Sequence, residues 1–422
     1  MSVHGKSPSD AIFLHNPTGF KDLELSHWHE VIAKAFHEAQ GQKVFSGASL
    51  LVANGEEILY ERAFGTISAG GPPLSLHSLF DLASLTKPLA TTLVCMSALT
   101  RKLFDVHAPI GHFIPTNLIP RQKKNITILH LLNHCSGLPA YVPFYQNLIR
   151  VPPRRRKESL LLSILQTPLD HNPGEEARYS DLDFMLLGTI LEETLGDSME
   201  KLFQSTVQAL IMEDTGEHSC SRGKGAPGGD ITGGHRPVRM EYIPLEAGWD
   251  PTHRTPCLPD HHKTSFVATE FCSWRKRILH GEVHDENAYV LGGVAPHAGL
   301  FGTAAAIHRV LSTLWRIYKG EWQTSQMSQE VLHFFWRRPG IVPRSTWALG
   351  FDSPSQKGSS AGRYFSEKSI GHLGFTGTSF WLDTVRGLLI ILLTNRVHIS
   401  RNNDKIKTFR PYIHDLIMEK MT

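Results

Sequence analysis

The tetrad Ser84-Leu85-Thr86-Lys87 places an amine three residues after a hydroxyl. On a helix, positions i and i+3 share a face, so the amine can reach the hydroxyl. A free serine hydroxyl is a poor nucleophile at neutral pH and needs an adjacent base. A lysine can serve when burial or neighbouring cations depress its pKa. The free N–H groups of a helix start would favour the oxyanion that forms on an attacked carbonyl. The pattern suits either a nucleophilic serine or an ordinary helix start. The same S-x-x-K spacing occurs four times, at Ser84/Lys87, Ser198/Lys201, Ser221/Lys224 and Ser273/Lys276, and context separates them. Ser198 follows Gly196-Asp197 near a helix start, which leaves Lys201 at the surface. Ser221 lies in a glycine-rich stretch. Ser273 sits among Trp274, Arg275 and Arg277 with no long apolar helix behind it. Only Ser84 opens a long apolar stretch, 84–101, whose periodicity predicts one helix that would hold the pair rigidly. Pro88 falls close to its first turn, where a missing N–H costs little.

The elements that would position Ser84 can be read on either side of it. Trp28, Val31, Ile32, Ala35 and Phe36 fall on one face at 3.6 residues per turn and predict an amphipathic helix over 26–40, with Ser26 as N-cap. SGASLLVA and ILYERAFG, joined at Asn54-Gly55, predict a hairpin with a type I′ turn. Helical patterns dominate 127–212, including ITILHLLNH, ESLLLSILQ and DFMLLGTILEETL. FWLDTV and GLLIILLTN read as two strands, followed by a helix over 404–420. The expected fold class is therefore α+β: one antiparallel sheet built from both chain ends and flanked by helices, with a mainly helical region inserted. The chain is expected to be one catalytic unit over 1–422. Its α/β part spans 22–105 and 290–422. Its mainly helical part spans 106–289 and contains an irregular Gly-, Pro- and His-rich insertion at about 215–263.

Two further segments complete a pattern. Tyr179-Ser180-Asp181 follows the turn Asn172-Pro173-Gly174 and precedes a helix. His372-Leu373-Gly374 lies just before the FWLDTV strand. In chain order with Ser84-Leu85-Thr86-Lys87, these resemble the serine β-lactamase and penicillin-binding-protein family, which pairs S-x-x-K with a Tyr or Ser motif and a K-T-G or H-T-G motif. LLNHCSGLP at 131–139 and GGVAPHAGLFGTAA at 292–305 look like its class C lactamase, esterase and D-peptidase branch. The resemblance covers most of 40–400. It implies a β-lactamase/transpeptidase-like fold and an acyl-enzyme mechanism on an ester, amide or lactam. Ser84, Lys87 and Tyr179 would be catalytic, with proton transfer shared between Lys87 and Tyr179. The N–H groups of Ser84 and Phe375 would form the oxyanion hole, and Asp181, His372 and Gly374 would bind substrate. Two departures matter. Asp181 stands where many lactamases have Asn, and an ionised carboxylate cannot donate. Leu373 and His372 replace the Thr and Lys of lactamases, which favours esterase or D-peptidase activity over efficient lactamase activity. The competing reading is a catalytically silent binding or scaffold protein with the same fold.

Composition narrows the remaining possibilities. The 422 residues carry a formal net charge of only +3, so the global balance gives no case for a nucleic-acid partner; the partner expected is a small-molecule or peptide substrate. The basic run Arg150, Arg154, Arg155, Arg156 and Lys157 reads as a solvated loop. Five cysteines, Cys95, Cys135, Cys220, Cys257 and Cys272, with no C-x-x-C pair, argue against a disulfide framework or a zinc site. No cofactor or metal is expected: no H-E-x-x-H occurs, and His261-His262 reads as a solvated loop pair. Gly223-Lys224-Gly225-Ala226-Pro227-Gly228 matches G-x-G-x-x-G but follows no strand, so it is rejected as a dinucleotide site. There is no apolar N-terminal core of signal-peptide length and no run of about 18 apolar residues, so the chain reads as cytoplasmic without a membrane span. The polar segment GEVHDENAY, with His284, Asp285 and Asn287, is expected to line the cleft.

Overall fold

The computed structural model describes residues 22–215, 239–245 and 265–421. Gly223–Gly228, His261-His262, Cys220, Cys257 and the Ser221/Lys224 pair lie outside these residues. Ten strands are described: β1 (Gly47–Asn54), β2 (Glu57–Gly65), β3 (Phe80–Asp81), β4 (Met240–Tyr242), β5 (Phe271–Cys272), β6 (Arg277–Ile278), β7 (Leu300–Gly302), β8 (Ile370–Leu373), β9 (Ser379–Leu382) and β10 (Leu388–Thr394). Five form the central antiparallel sheet in the order β2-β1-β10-β9-β8. Both chain ends thus build one sheet, as expected. Ala48 pairs with Thr394 and Asn54 with Leu388, so the first strand is hydrogen-bonded to the last.

β10 reads as an unbroken apolar run because both of its faces are covered. Leu50, Val52, Ile390 and Leu392 pack under the terminal helices Asp22–Gly41 and Ile406–Met418, against Ile32, Phe36, Phe409 and Ile413. Leu51, Ala53, Leu389, Ile391 and Leu393 face the other way, into a larger core with Ile307, Leu311 and Leu314 of the helix Ala304–Lys319. Thr303 caps that helix by accepting from the Ala306 N–H, and Gly320 ends it at φ +76°.

Several local expectations are corrected. The first helix starts at Asp22, so Ser26 lies inside it rather than at its N-cap. In the hairpin Asn54 still pairs with Glu57, and the positive φ falls on Gly55 alone of the Asn54-Gly55 pair. The stretch 84–101 is not one α-helix. It runs as a 3-10 turn, Ala83–Leu85, a π-helical turn, Lys87–Thr91, and an α-helix, Thr92–Thr100. Pro88 supplies the reason: it has no N–H for the Ser84 carbonyl four residues back, and its ring crowds that oxygen. Residues 240–242, inside the stretch read as irregular, form β4 against β7; three residues are too few to register as periodicity. In the basic run, Arg156 is buried, and its guanidinium donates to the carbonyls of Val151 (2.9 Å) and Val290 (2.8 Å).

Lys123 is a second buried cation in the helical part. Its ammonium sits at the C-terminal end of the helix Arg156–Gln166 and donates to the carbonyls of Ile164 (2.8 Å), Leu165 (2.7 Å) and Thr167. A positive charge there complements the carbonyl end of the helix. Lys123→Met would strand those carbonyls in the interior. It is expected to cost about 3 kcal/mol of stability, read as a lower urea midpoint, with the active-site geometry retained.

Candidate active site

Ser84 is half-exposed in an otherwise buried run, Phe80–Ala90. The chain reaches it through Asp81 and a strained residue. Ala83 has φ +48°, a conformation that costs an L-residue free energy and persists only when its surroundings hold it. They do so here: its N–H donates to Asp81 Oδ1 (2.8 Å) and its carbonyl accepts from Thr86 Oγ1 (2.6 Å). Asp81 is itself fixed by the His284 N–H on Oδ2 (2.6 Å).

Lys87 is fully buried and its ammonium is the hub. It donates to Tyr179 Oη (2.6 Å), Asp181 Oδ1 (2.7 Å) and the His297 carbonyl (3.0 Å), with Ser84 Oγ at 3.3 Å. Tyr179 Oη in turn donates to Ser84 Oγ at 2.6 Å. Burial, followed by the nearby Asp181 carboxylate, pushes the Tyr179 phenol well above its ordinary pKa, so the resting group is a phenol.

The segment 131–139 holds the Tyr179 turn from behind. His134 Nδ1 accepts the Ser180 N–H (3.2 Å), Ser180 Oγ donates to the Pro139 carbonyl (2.7 Å), and Ser136 Oγ donates to Asp183 Oδ1. Burial lowers the pKa of His134 and raises that of Asp183, disfavouring the charged form of each. Ser180, not Asp181, caps the helix Asp181–Leu195, accepting from the Asp183 N–H. Segment 292–305 braces the other side: Thr91 Oγ1 donates to the Pro296 carbonyl (2.6 Å), and the Leu300 N–H to Thr86 Oγ1 (3.1 Å).

The third motif lies on β8 and the turn after it. His372 is buried at 2% exposure beside Tyr179 and Trp347, with ring centroids at 6.0 and 5.8 Å. Its Nδ1 donates to the Leu373 carbonyl (2.9 Å). Burial, then the charge of Lys87, holds its pKa at about 3, so the ring is neutral at physiological pH. Gly374 is pressed against the Leu82 carbonyl, two residues before Ser84, and two threonines beyond it make the tie. Thr376 Oγ1 donates to the Asp81 carbonyl (2.8 Å) and Thr378 Oγ1 to the Leu82 carbonyl (3.1 Å). Arg396 Nε holds the Phe375 carbonyl (2.9 Å), its guanidinium lying 4.7 Å from the Phe375 ring centre.

The site thus brings Ser84, Lys87, Tyr179 and Asp181 into direct contact, with His372 and Gly374 alongside. Asp181, read from sequence as a substrate contact, has Oδ1 engaged by Lys87. Thr376, Thr378, Arg396 and His297 escaped sequence reasoning. They act through backbone carbonyls far away in the chain, and such contacts leave no spacing signal. Of the polar segment 281–289, Asp285 is partly exposed, whereas His284 and Asn287 are buried, Asn287 spanning the Tyr145 N–H (2.8 Å) and the Val142 carbonyl (3.0 Å). Glu270, Cys272 and Glu286 place metal-ligand atoms within 4.8 Å of one another, but Arg401 already bonds both carboxylates, at 2.9 and 2.5 Å. No described helix is long and apolar enough to cross a membrane.

Buried neutral histidines set an acid limit on stability. His372 and His414 both have folded-state pKa values of about 3, caused mainly by burial. Between about pH 6.5 and 3 the unfolded chain takes up protons at these positions and the folded chain does not. Stability is therefore expected to fall with pH through that window, by about 1.4 kcal/mol per pH unit for each histidine. Urea midpoints measured from pH 7 down to pH 4 should fall steadily, and His414→Gln should flatten the slope.

The Beta-lactamase family model matches residues 32–410. The chain is 28% identical over 381 residues to the N-acetylmuramyl-L-alanine amidase of Bacillus subtilis (strain 168), covering 84% of this chain and 78% of that protein. It is 26% identical over 383 residues to a Salmonella agona (strain SL483) protein provisionally named a D-alanyl-D-alanine carboxypeptidase, covering 86% and 81%. Among solved structures, EstCE1, a hydrolase with promiscuous acyltransferase activity, shares the fold at TM-score 0.63 and 17% identity, covering 92% of this chain and 100% of that one. With the sheet assembled from both termini and the family model spanning nearly all of it, the chain belongs to the Beta-lactamase family.

Proposed function

We propose that the chain is a serine hydrolase that cleaves an ester or amide through an acyl-enzyme on Ser84. The observation that carries this reading is the closed Ser84–Tyr179–Lys87 triangle, with edges of 2.6, 2.6 and 3.3 Å. As Ser84 Oγ bonds to the carbonyl carbon, its proton passes to Tyr179 Oη. Lys87 hands one of its own protons to the Asp181 carboxylate and takes the phenol proton in its place, so Asp181 holds the proton at the end of the relay. When the tetrahedral adduct collapses, the proton returns by the same route to the leaving group. Water then repeats the sequence on the acyl-enzyme. The N–H groups of Ser84 and Phe375 are assigned to the oxyanion. The Phe375 N–H has no acceptor among the described residues, while the carbonyl of the same residue is clamped by Arg396.

His372 and Leu373 remove the ammonium and hydroxyl that would grip the carboxylate of a β-lactam, which favours esterase or peptidase chemistry over lactamase chemistry. The rival reading, a silent scaffold, rests on Leu373 alone once Asp181 has a place in the relay. Hydrolysis of p-nitrophenyl acetate that disappears in Ser84→Ala supports the proposal; equal rates for the two proteins defeat it.

A further inference from the structure

The polar groups around Ser84 are unusual for their sign, and they bear on substrate class; the argument rests on the serine-hydrolase reading above. At position 372 the Nδ1–H is spent on the Leu373 carbonyl, so the neutral ring carries a lone pair, not a proton, at Nε2. That nitrogen is buried beside Tyr179 without a hydrogen-bond partner. It can accept a hydrogen bond but cannot donate one. The cations nearby are committed. Lys87 is paired with Asp181. Arg401 is paired with Glu270 and Glu286. Arg396 is spread over the carbonyls of Phe375 (2.9 Å), Arg401 (3.1 Å) and Asn403 (2.5 Å).

Asp285 is the opposite case. Its Oδ1 is fixed by the Ala288 N–H (2.7 Å) and by His297 Nε2 (3.0 Å), whereas Oδ2 makes no hydrogen bond to the described residues and the side chain is 21% exposed. It is tied to the catalytic centre from both sides. The His297 carbonyl accepts from Lys87, and the adjacent His284 donates its N–H to Asp81 while its ring stacks on Phe375 at 5.4 Å. Its charge reaches the phenols of Tyr179 and the exposed Tyr141, adding to the effect of burial in raising both pKa values.

We propose that Asp285 is the specificity anchor of this cleft, a carboxylate that selects acyl donors bearing an ammonium group and disfavours those bearing a free carboxylate. Tyr141, exposed and within reach of the Asp285 charge, adds an aromatic ring suited to the same cation. The anchor is preorganised, because the His297 and Ala288 contacts fix the carboxylate before substrate arrives.

The test uses three benzyl esters of alanine, each in both enantiomers, with the nitrogen free, N-acetylated or N-succinylated, followed by release of benzyl alcohol. Wild type is expected to favour the ammonium ester over the N-acetyl ester by about tenfold or more in kcat/KM, with the N-succinyl ester poorest. Asp285→Asn keeps an oxygen for the Ala288 N–H, and it should bring the ammonium-to-acetyl ratio to about one. Turnover of none of the three esters overturns the proposal. So does acceptance of the N-succinyl ester as well as the ammonium ester, or a ratio unmoved by Asp285→Asn. Ser84→Ala separates the two readings: cleavage that survives it sinks the hydrolase assignment, whereas Ser84-dependent cleavage without an ammonium preference removes only the role of Asp285.

Discussion

Tyr179→Phe is expected to lower kcat/KM for an ester by about 10²- to 10⁴-fold while the protein stays folded. The ring is held by packing that the change leaves intact: Trp347 stacks on it at 5.7 Å and His134 tilts against it at 4.9 Å. Only the oxygen is lost, and that oxygen is the one atom within 2.6 Å of both Ser84 Oγ and Lys87 Nζ. Without it only the direct Ser84–Lys87 contact remains, and at 3.3 Å it is the longest edge of the triangle. The loss should fall on kcat rather than KM, since the missing interaction is made chiefly in the transition state. Retention of more than about a third of wild-type kcat/KM would move the base elsewhere and reduce Tyr179 to a packed ring.

Gly374→Ala should be nearly as damaging for a different reason. A Cβ at this position would lie 2.0 Å from Thr378 Oγ1 and 2.7 Å from the Leu82 carbonyl, the two atoms that hydrogen-bond to fasten the turn to the segment leading into Ser84. Relief of that overlap must separate residues 374–378 from residues 81–84. The two N–H groups assigned to the oxyanion sit on opposite sides of this seam. We expect kcat to fall by about 10²- to 10³-fold, the cost of losing one oxyanion donor. Thr378→Val, which keeps the shape and removes one tie, should cost about tenfold, because Thr376 still holds Asp81. Ester kinetics with the three proteins checks the order. Equal rates for wild type and Gly374→Ala would place the oxyanion contact away from Phe375.

The sheet was legible because its strands are apolar in patterns that burial dictates. The run LLIILLT stands out only because helices cover both faces. The three motifs were legible as residue types at the right places in chain order, and the structure draws Ser84, Lys87 and Tyr179 together. The break at Lys87–Thr91 was not, since Pro88 near a helix start is compatible with an ordinary helix and the π-turn depends on where the Ser84 carbonyl is pushed. Asp181 illustrates the limit of motif reading. Its type suggested an altered substrate contact, but the choice of partner was made by a lysine 94 residues earlier in the chain. Arg156 and Lys123 teach the same lesson for charge. Each is in a basic or polar local sequence, and each is drawn inside by carbonyls at a helix end or loop that only the fold brings near. Thr376 and Thr378, small polar residues in a turn, gave no sign that they staple the two halves of the site.

The central claim is that Ser84 is a nucleophile that takes up the electrophilic group covalently, and intact mass tests it most directly. The protein would be incubated with a fluorophosphonate and, separately, with a fluorescent penicillin, beside Ser84→Ala. The account predicts one covalent adduct on wild type and none on the variant, with the fluorophosphonate the better probe because no ammonium stands at position 372 to hold a penicillin carboxylate. No adduct from either probe on folded wild type, or an adduct that persists in Ser84→Ala, would contradict it.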